Sequence, residues 1–62
     1  MDFSVIDRGA VVLIEPTNRV AREHLVSHTN PEAHWLEGSL VVEPLFLSNL
    51  VSELEDKGFT VN

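Results

Sequence analysis

His24 and His28 lie four residues apart, a spacing that puts both imidazoles on one face of a helix. Two histidines so placed suit a two-point metal site, and His34 or Glu32, just beyond the following turn, can offer a third ligand. The zincin arrangement needs its glutamate after the first histidine, whereas here Glu23 precedes His24. The plainer reading is a pair of ordinary boundary histidines. Glu15 and Glu43 are a second candidate. Each closes an apolar run and precedes a proline, and two carboxylates brought to one edge can divide acid and base roles when their surroundings differ. The plainer reading places each near the positive end of the helix after it.

Other chemistries lack their residues. With no cysteine there is neither a thiol nucleophile nor a thiolate metal site nor a disulfide. The three glycines are scattered at Gly9, Gly38 and Gly58, so no phosphate-cradling loop exists, and none of the serines stands in an elbow motif. Ten acidic side chains face four basic ones, for a net charge of −6. Displacing counterions from phosphates needs lysine and arginine, so direct binding of nucleic acid or of an anionic membrane is disfavoured. A basic protein surface is the better electrostatic match. Glu53, Glu55 and Asp56 form an acidic cluster that can meet such a partner, or serve only as a solvated helix face. Trp35, the one tryptophan, is a candidate anchor for a partner or a core residue. No cofactor is implied.

Elements to position these groups follow from periodicity. Ala10 to Ile14 is an apolar, β-branched run that Glu15-Pro16 stops. Thr17 or Asn18 can cap a helix whose apolar stripe is Val20, Ala21, Leu25 and Val26. It fades at His28-Thr29-Asn30 before Pro31. The second half repeats the grammar. Leu40-Val41-Val42 ends in Glu43-Pro44, and Leu47, Leu50, Val51 and Leu54 then recur at helical spacing. Gly58 is placed to terminate that helix, with Phe59-Thr60-Val61 as a short last strand. A tight turn at Glu37-Gly38 makes a hairpin of Ala33–Leu36 with Ser39–Val42.

The expected fold is therefore a single α+β domain over residues 1–62. It is ferredoxin-like, βαββαβ, with a four-stranded antiparallel sheet, two helices on one face and the two Glu-Pro strands at the centre. The rival is a three-stranded βαβαβ sheet in which His34 to Val42 runs straight. Residues 1–9 are an extra strand or a tail, with a turn at Asp7-Arg8-Gly9. Alternation along the strands leaves either Val11 and Leu13, with Val41 as the candidate contact beside them, or Val12 and Ile14 on an open face. The segment from Phe3 to Ile6, a second copy of the chain or another protein can cover that face.

Sixty-two residues bury too little surface for much stability, and association is the remedy left without disulfides. The longest apolar run is far below the ~20 residues of a membrane helix, and the start Met1-Asp2 lacks a basic leader, so a cytoplasmic setting is expected. The functional expectation is a small acidic protein-binding or regulatory module, a homodimer, and not an enzyme. The alternative is a metal- or metabolite-binding sensor or enzyme using His24, His28 and the Glu15/Glu43 edge.

The stretch Trp35-Leu36-Glu37-Gly38-Ser39-Leu40-Val41-Val42-Glu43-Pro44, with Gly58-Phe59-Thr60-Val61 after it, resembles a set of short uncharacterised bacterial proteins. The resemblance covers about the last half of the chain. It implies a bacterial or mobile-element setting and carries no activity or site.

Overall fold

A computed structural model describes residues 1–62. The chain runs β1 (Phe3–Asp7), β2 (Val12–Pro16), α1 (Arg19–Ser27), β3 (Trp35–Leu36), β4 (Ser39–Val42) and α2 (Pro44–Asp56). This is an α+β chain with one four-stranded antiparallel sheet in the order β1-β2-β4-β3.

β2, which starts at Val12 and runs through Glu15-Pro16 where the sequence pattern predicts a stop, and β4, which ends just before Glu43-Pro44, are neighbours at the centre, with Val12 opposite Val42 and Ile14 opposite Leu40. The three-stranded alternative is excluded at Glu37-Gly38. Both residues have positive φ, 50° and 84°, which turns the chain back between β3 and β4. Paired positive φ is the geometry whose twist matches that of a two-residue hairpin.

The sheet differs from expectation at one edge. The slot beside β2 is filled by β1, which pairs with it over five residues from Phe3–Pro16 to Asp7–Val12. The expected last strand shrinks to a single parallel bridge between Val61 and Phe3. A short connection explains the outcome. The N–H of Gly9, at φ 84°, donates to the Asp7 carboxylate (2.8 Å), and Arg8 N–H donates to the Val11 carbonyl, so β1 reaches β2 through a tight turn. Pro16, which has no N–H, is tolerated inside β2 because its partner Phe3 makes its backbone bonds on the other side. Phe3 donates to the Thr60 carbonyl (3.1 Å) and accepts from Asn62 N–H (3.0 Å).

Both helices are capped by local chemistry. The Asn18 side chain accepts from Ala21 N–H at 2.8 Å. Pro44 occupies the first turn of α2, where a missing N–H costs nothing. At the other end Gly58, at φ 93°, closes α2. Its N–H donates to Glu55 O and that of Phe59 to Leu54 O, the paired bonds of a Schellman motif. That turn sends Phe59 back against the core.

Phe3, Ile14, Leu40 and Val42 from the sheet form one buried cluster with Ala21 and Leu25 of α1 and Leu54 of α2. Phe59 and Val61 pack against it. Leu13 belongs to the opposite face, directly between Ile6 and Val41.

Candidate functional site

A hollow of about 500 Å³ lies between α1 and α2. Leu25, Leu50 and Leu54 supply its apolar lining. His24 of α1 and His28, its C-cap, line one side, and Glu53 and Asp56 of α2 with Lys57, its C-cap, line the other. The sequence placed the histidines and the acidic cluster in separate candidate sites, and the fold brings them to one cleft. Glu55, third of that cluster, does not line it, nor do His34 and Glu32, the expected third ligands. No three histidine, aspartate or glutamate side chains stand close enough together to hold a metal ion.

The helical spacing does bring the imidazoles together. The rings of His24 and His28 stack with centroids 4.1 Å apart and planes 26° from parallel. On its other side His24 meets Phe59 at 4.8 Å, and Phe59 in turn meets Phe3 edge-on at 5.4 Å. His28 Nδ1 lies 2.9 Å from the His24 carbonyl oxygen and 3.0 Å from Ser27 Oγ. Thr29 Oγ1 donates to the Leu25 carbonyl in the same turn.

Burial holds the His24 imidazole below its ordinary value of 6.5, and the neighbouring His28 and Lys57 add repulsion against the proton. Between 6.5 and the lowered value the unfolded chain binds more protons than the folded one, so stability falls as pH drops through that window and is fully present above it. Urea midpoints from about pH 7.5 down to about pH 5.5 should therefore decline, and His24→Phe should flatten the decline. An unchanged slope in that variant would assign the effect to another group.

Glu15 and Glu43 do not meet. β2 and β4 are antiparallel, so their C-terminal ends point in opposite directions. Extending the register sets Glu15 level with Ser39 and Glu43 level with Val11. The two carboxylates therefore form no pair. Glu43 is the N-cap residue of α2, with no side-chain cap bond.

The expected open-face patch is also altered. Leu13 is only 4% exposed and Val11 and Val41 are half-buried, because β1 widens the sheet and sets Ile6 beside Leu13. Trp35 is 39% exposed on the short edge strand β3, and Leu36 beside it is half-exposed. The sequence reading missed the largest exposed apolar pair, Leu45 (80%) and Phe46 (54%), in the first turn of α2. The signal was present for Leu45, which lies off the Leu47, Leu50, Val51, Leu54 stripe, whereas Phe46, four residues before Leu50, borders the stripe and is left exposed only by the packing.

The chain ends are clasped by Asp2. Its carboxylate accepts from Thr60 N–H (2.9 Å), Thr60 Oγ1 (3.2 Å) and Asn18 Nδ2 (2.8 Å), and these bonds lower its pKa, the Thr60 backbone bond most. Of the two arginines of α1, Arg19 is tied to Glu23 at 3.1 Å. No helix is long and apolar enough to cross a membrane. Comparison of the chain with protein-family models, curated proteins and solved structures gives no match.

Proposed function

We propose that this chain works by protein association, as a small acidic module that pairs with a second copy of itself through the start of α2 and leaves its acidic surface for a basic partner. The observation that carries this reading is the exposure of Leu45 and Phe46 together, on a chain with only ten buried residues. Two adjacent large apolar side chains left in water on so small a domain favour a contact that removes them from it. A two-fold pairing is the commonest way for a chain to supply that contact itself. Trp35 and Leu36, on the β3 edge, extend the apolar surface available to partners. We read the fold as a ferredoxin-like arrangement with both helices over one sheet face and the N-terminal strand inserted in the slot of the usual last one. The setting we infer is the bacterial cytoplasm.

The net charge of −6 favours a basic surface as the second partner, with Glu53, Glu55 and Asp56 as its contact. Sedimentation equilibrium tests the self-pairing. The native chain should pair reversibly, and Leu45→Ser with Phe46→Ser should weaken pairing at least tenfold, or about 1.4 kcal/mol, without loss of helicity. A native chain that stays monomeric at about 0.5 mM, or a double variant that pairs equally well, sinks the reading.

A further inference from the structure

The His24 imidazole is held between two rings. On one side His28 stacks on it at 4.1 Å, and on the other Phe59 packs against it at 4.8 Å with the planes tilted by 46°. Phe59 in turn meets Phe3 edge-on at 5.4 Å. The stacked pair therefore stands directly behind the C-terminal residues where they join the core.

Those residues are lightly held. Residues 59–62 contribute two half-buried apolar side chains, Phe59 and Val61, and one isolated bridge from Val61 to Phe3. Their backbone bonds run from Phe59 N–H to Leu54 O, from the Asp2 and Phe3 N–H groups to Thr60 O, and from Asn62 N–H to Phe3 O. A chain end with few apolar contacts opens at a lower free energy than the whole domain.

A proton on His24 works against this closed form. The charged ring loses hydration beside Phe59, and a second proton, on His28, sets like charges 4.1 Å apart. Lys57 adds a further cation to the same cleft. Glu53 and Asp56 line it too, but neither makes an ion pair with an imidazole. The Asp2 carboxylate that clasps Thr60 is held below its ordinary 3.8, so it stays ionised between about pH 7.5 and about pH 5.5 and the clasp does not titrate there.

We propose that the stacked pair His24 and His28 is an acid-sensitive latch on the C-terminal end: neutral imidazoles hold Phe59 against Phe3, and protonation frees residues 59–62 while the sheet and both helices stay folded. Linkage makes the two events reciprocal. Docked Phe59 disfavours the proton on His24, so that proton disfavours docked Phe59 by the same factor. An open form in which His24 titrates at its ordinary 6.5 gains, from this one imidazole, at most about elevenfold on the closed form by about pH 5.5. Release uncovers the faces of Phe3 and Leu54 on which the segment packs. The latch does not rest on self-association, because Leu45 and Phe46 line no part of the cleft.

Native-state amide hydrogen exchange tests the latch, read by NMR as protection relative to an unstructured chain at the same pH. From about pH 7.5 to about pH 5.5 the protection of the Phe59 and Asn62 amides should fall at least about threefold. That of the Arg8 amide, bonded to Val11 O in the turn between β1 and β2, should hold steady. His24→Phe should abolish the fall, and so should His24→Gln, which is neutral at every pH and covers the case in which the aromatic variant folds poorly. The latch is overturned if the terminal amides keep their protection in acid, or if the fall persists in the folded variants. It is equally overturned if Arg8 loses protection in step, which marks unfolding of the whole chain.

Discussion

Replacing Phe3 by alanine leaves much of the chain unfolded at about 25 °C, because the loss is comparable with the whole stability of the domain. Phe3 is fully buried, in the cluster that joins the sheet to both helices. Truncating a buried phenylalanine costs about 3–5 kcal/mol, through lost transfer energy and the cavity left behind. A chain of this length holds only about 3–9 kcal/mol in total. The loss here also removes the edge-on contact with Phe59, so the C-terminal residues lose their support. Urea denaturation followed by circular dichroism measures the effect. A midpoint within experimental error of the native one would mean that the N-terminal strand is dispensable, and that the core rests on β2, β4 and the helices alone.

Removing Phe59 to Asn62 should lower the melting temperature by roughly 12–24 °C, from a loss of about 3 kcal/mol at about 4–8 °C for each kcal/mol. Two kinds of interaction disappear together. Phe59 and Val61 no longer pack on the cluster, which exposes apolar surface of Phe3 and Leu54. The backbone bonds of Phe3 to Thr60 and Asn62, and of Asp2 to Thr60, are lost as well. The Schellman turn that ends α2 loses Phe59, the donor to Leu54 O, and with it the apolar contact that accompanies the turn. Thermal melts of the full and shortened chains decide the matter. An unchanged melting temperature would show that the single bridge between Phe3 and Val61 has no energetic weight. The shortened chain should also lose the depression of the His24 pKa in part, because Phe59 is one wall of its apolar surround.

How much of this was readable in the sequence depends on the range of the interaction. Periodicity and local turn chemistry are properties of a few neighbouring residues, and they located the first central strand, though two residues early, narrowed the cap to Thr17 or Asn18, and found the Glu37-Gly38 hairpin, the α2 stripe and the Gly58 terminus. They also placed the two Glu-Pro strands side by side. The absence of cysteine likewise excludes thiol and disulfide chemistry by these residues whatever the fold.

Only the tertiary structure decided the rest, because those questions turn on which distant segments meet. Two short apolar segments, Phe3 to Ile6 and Phe59 to Val61, compete for one place beside β2. The first prevails with a five-residue ladder reached through a tight turn, while the second must return from the far end of the chain. Strand direction separated Glu15 from Glu43, which the repeated Glu-Pro pattern suggested as a pair. Helix packing did the reverse for His24, His28, Glu53 and Asp56, joining two candidates about twenty-five residues apart in one cleft. Sequence spacing fixes which residues share a face, and only packing fixes what that face looks at.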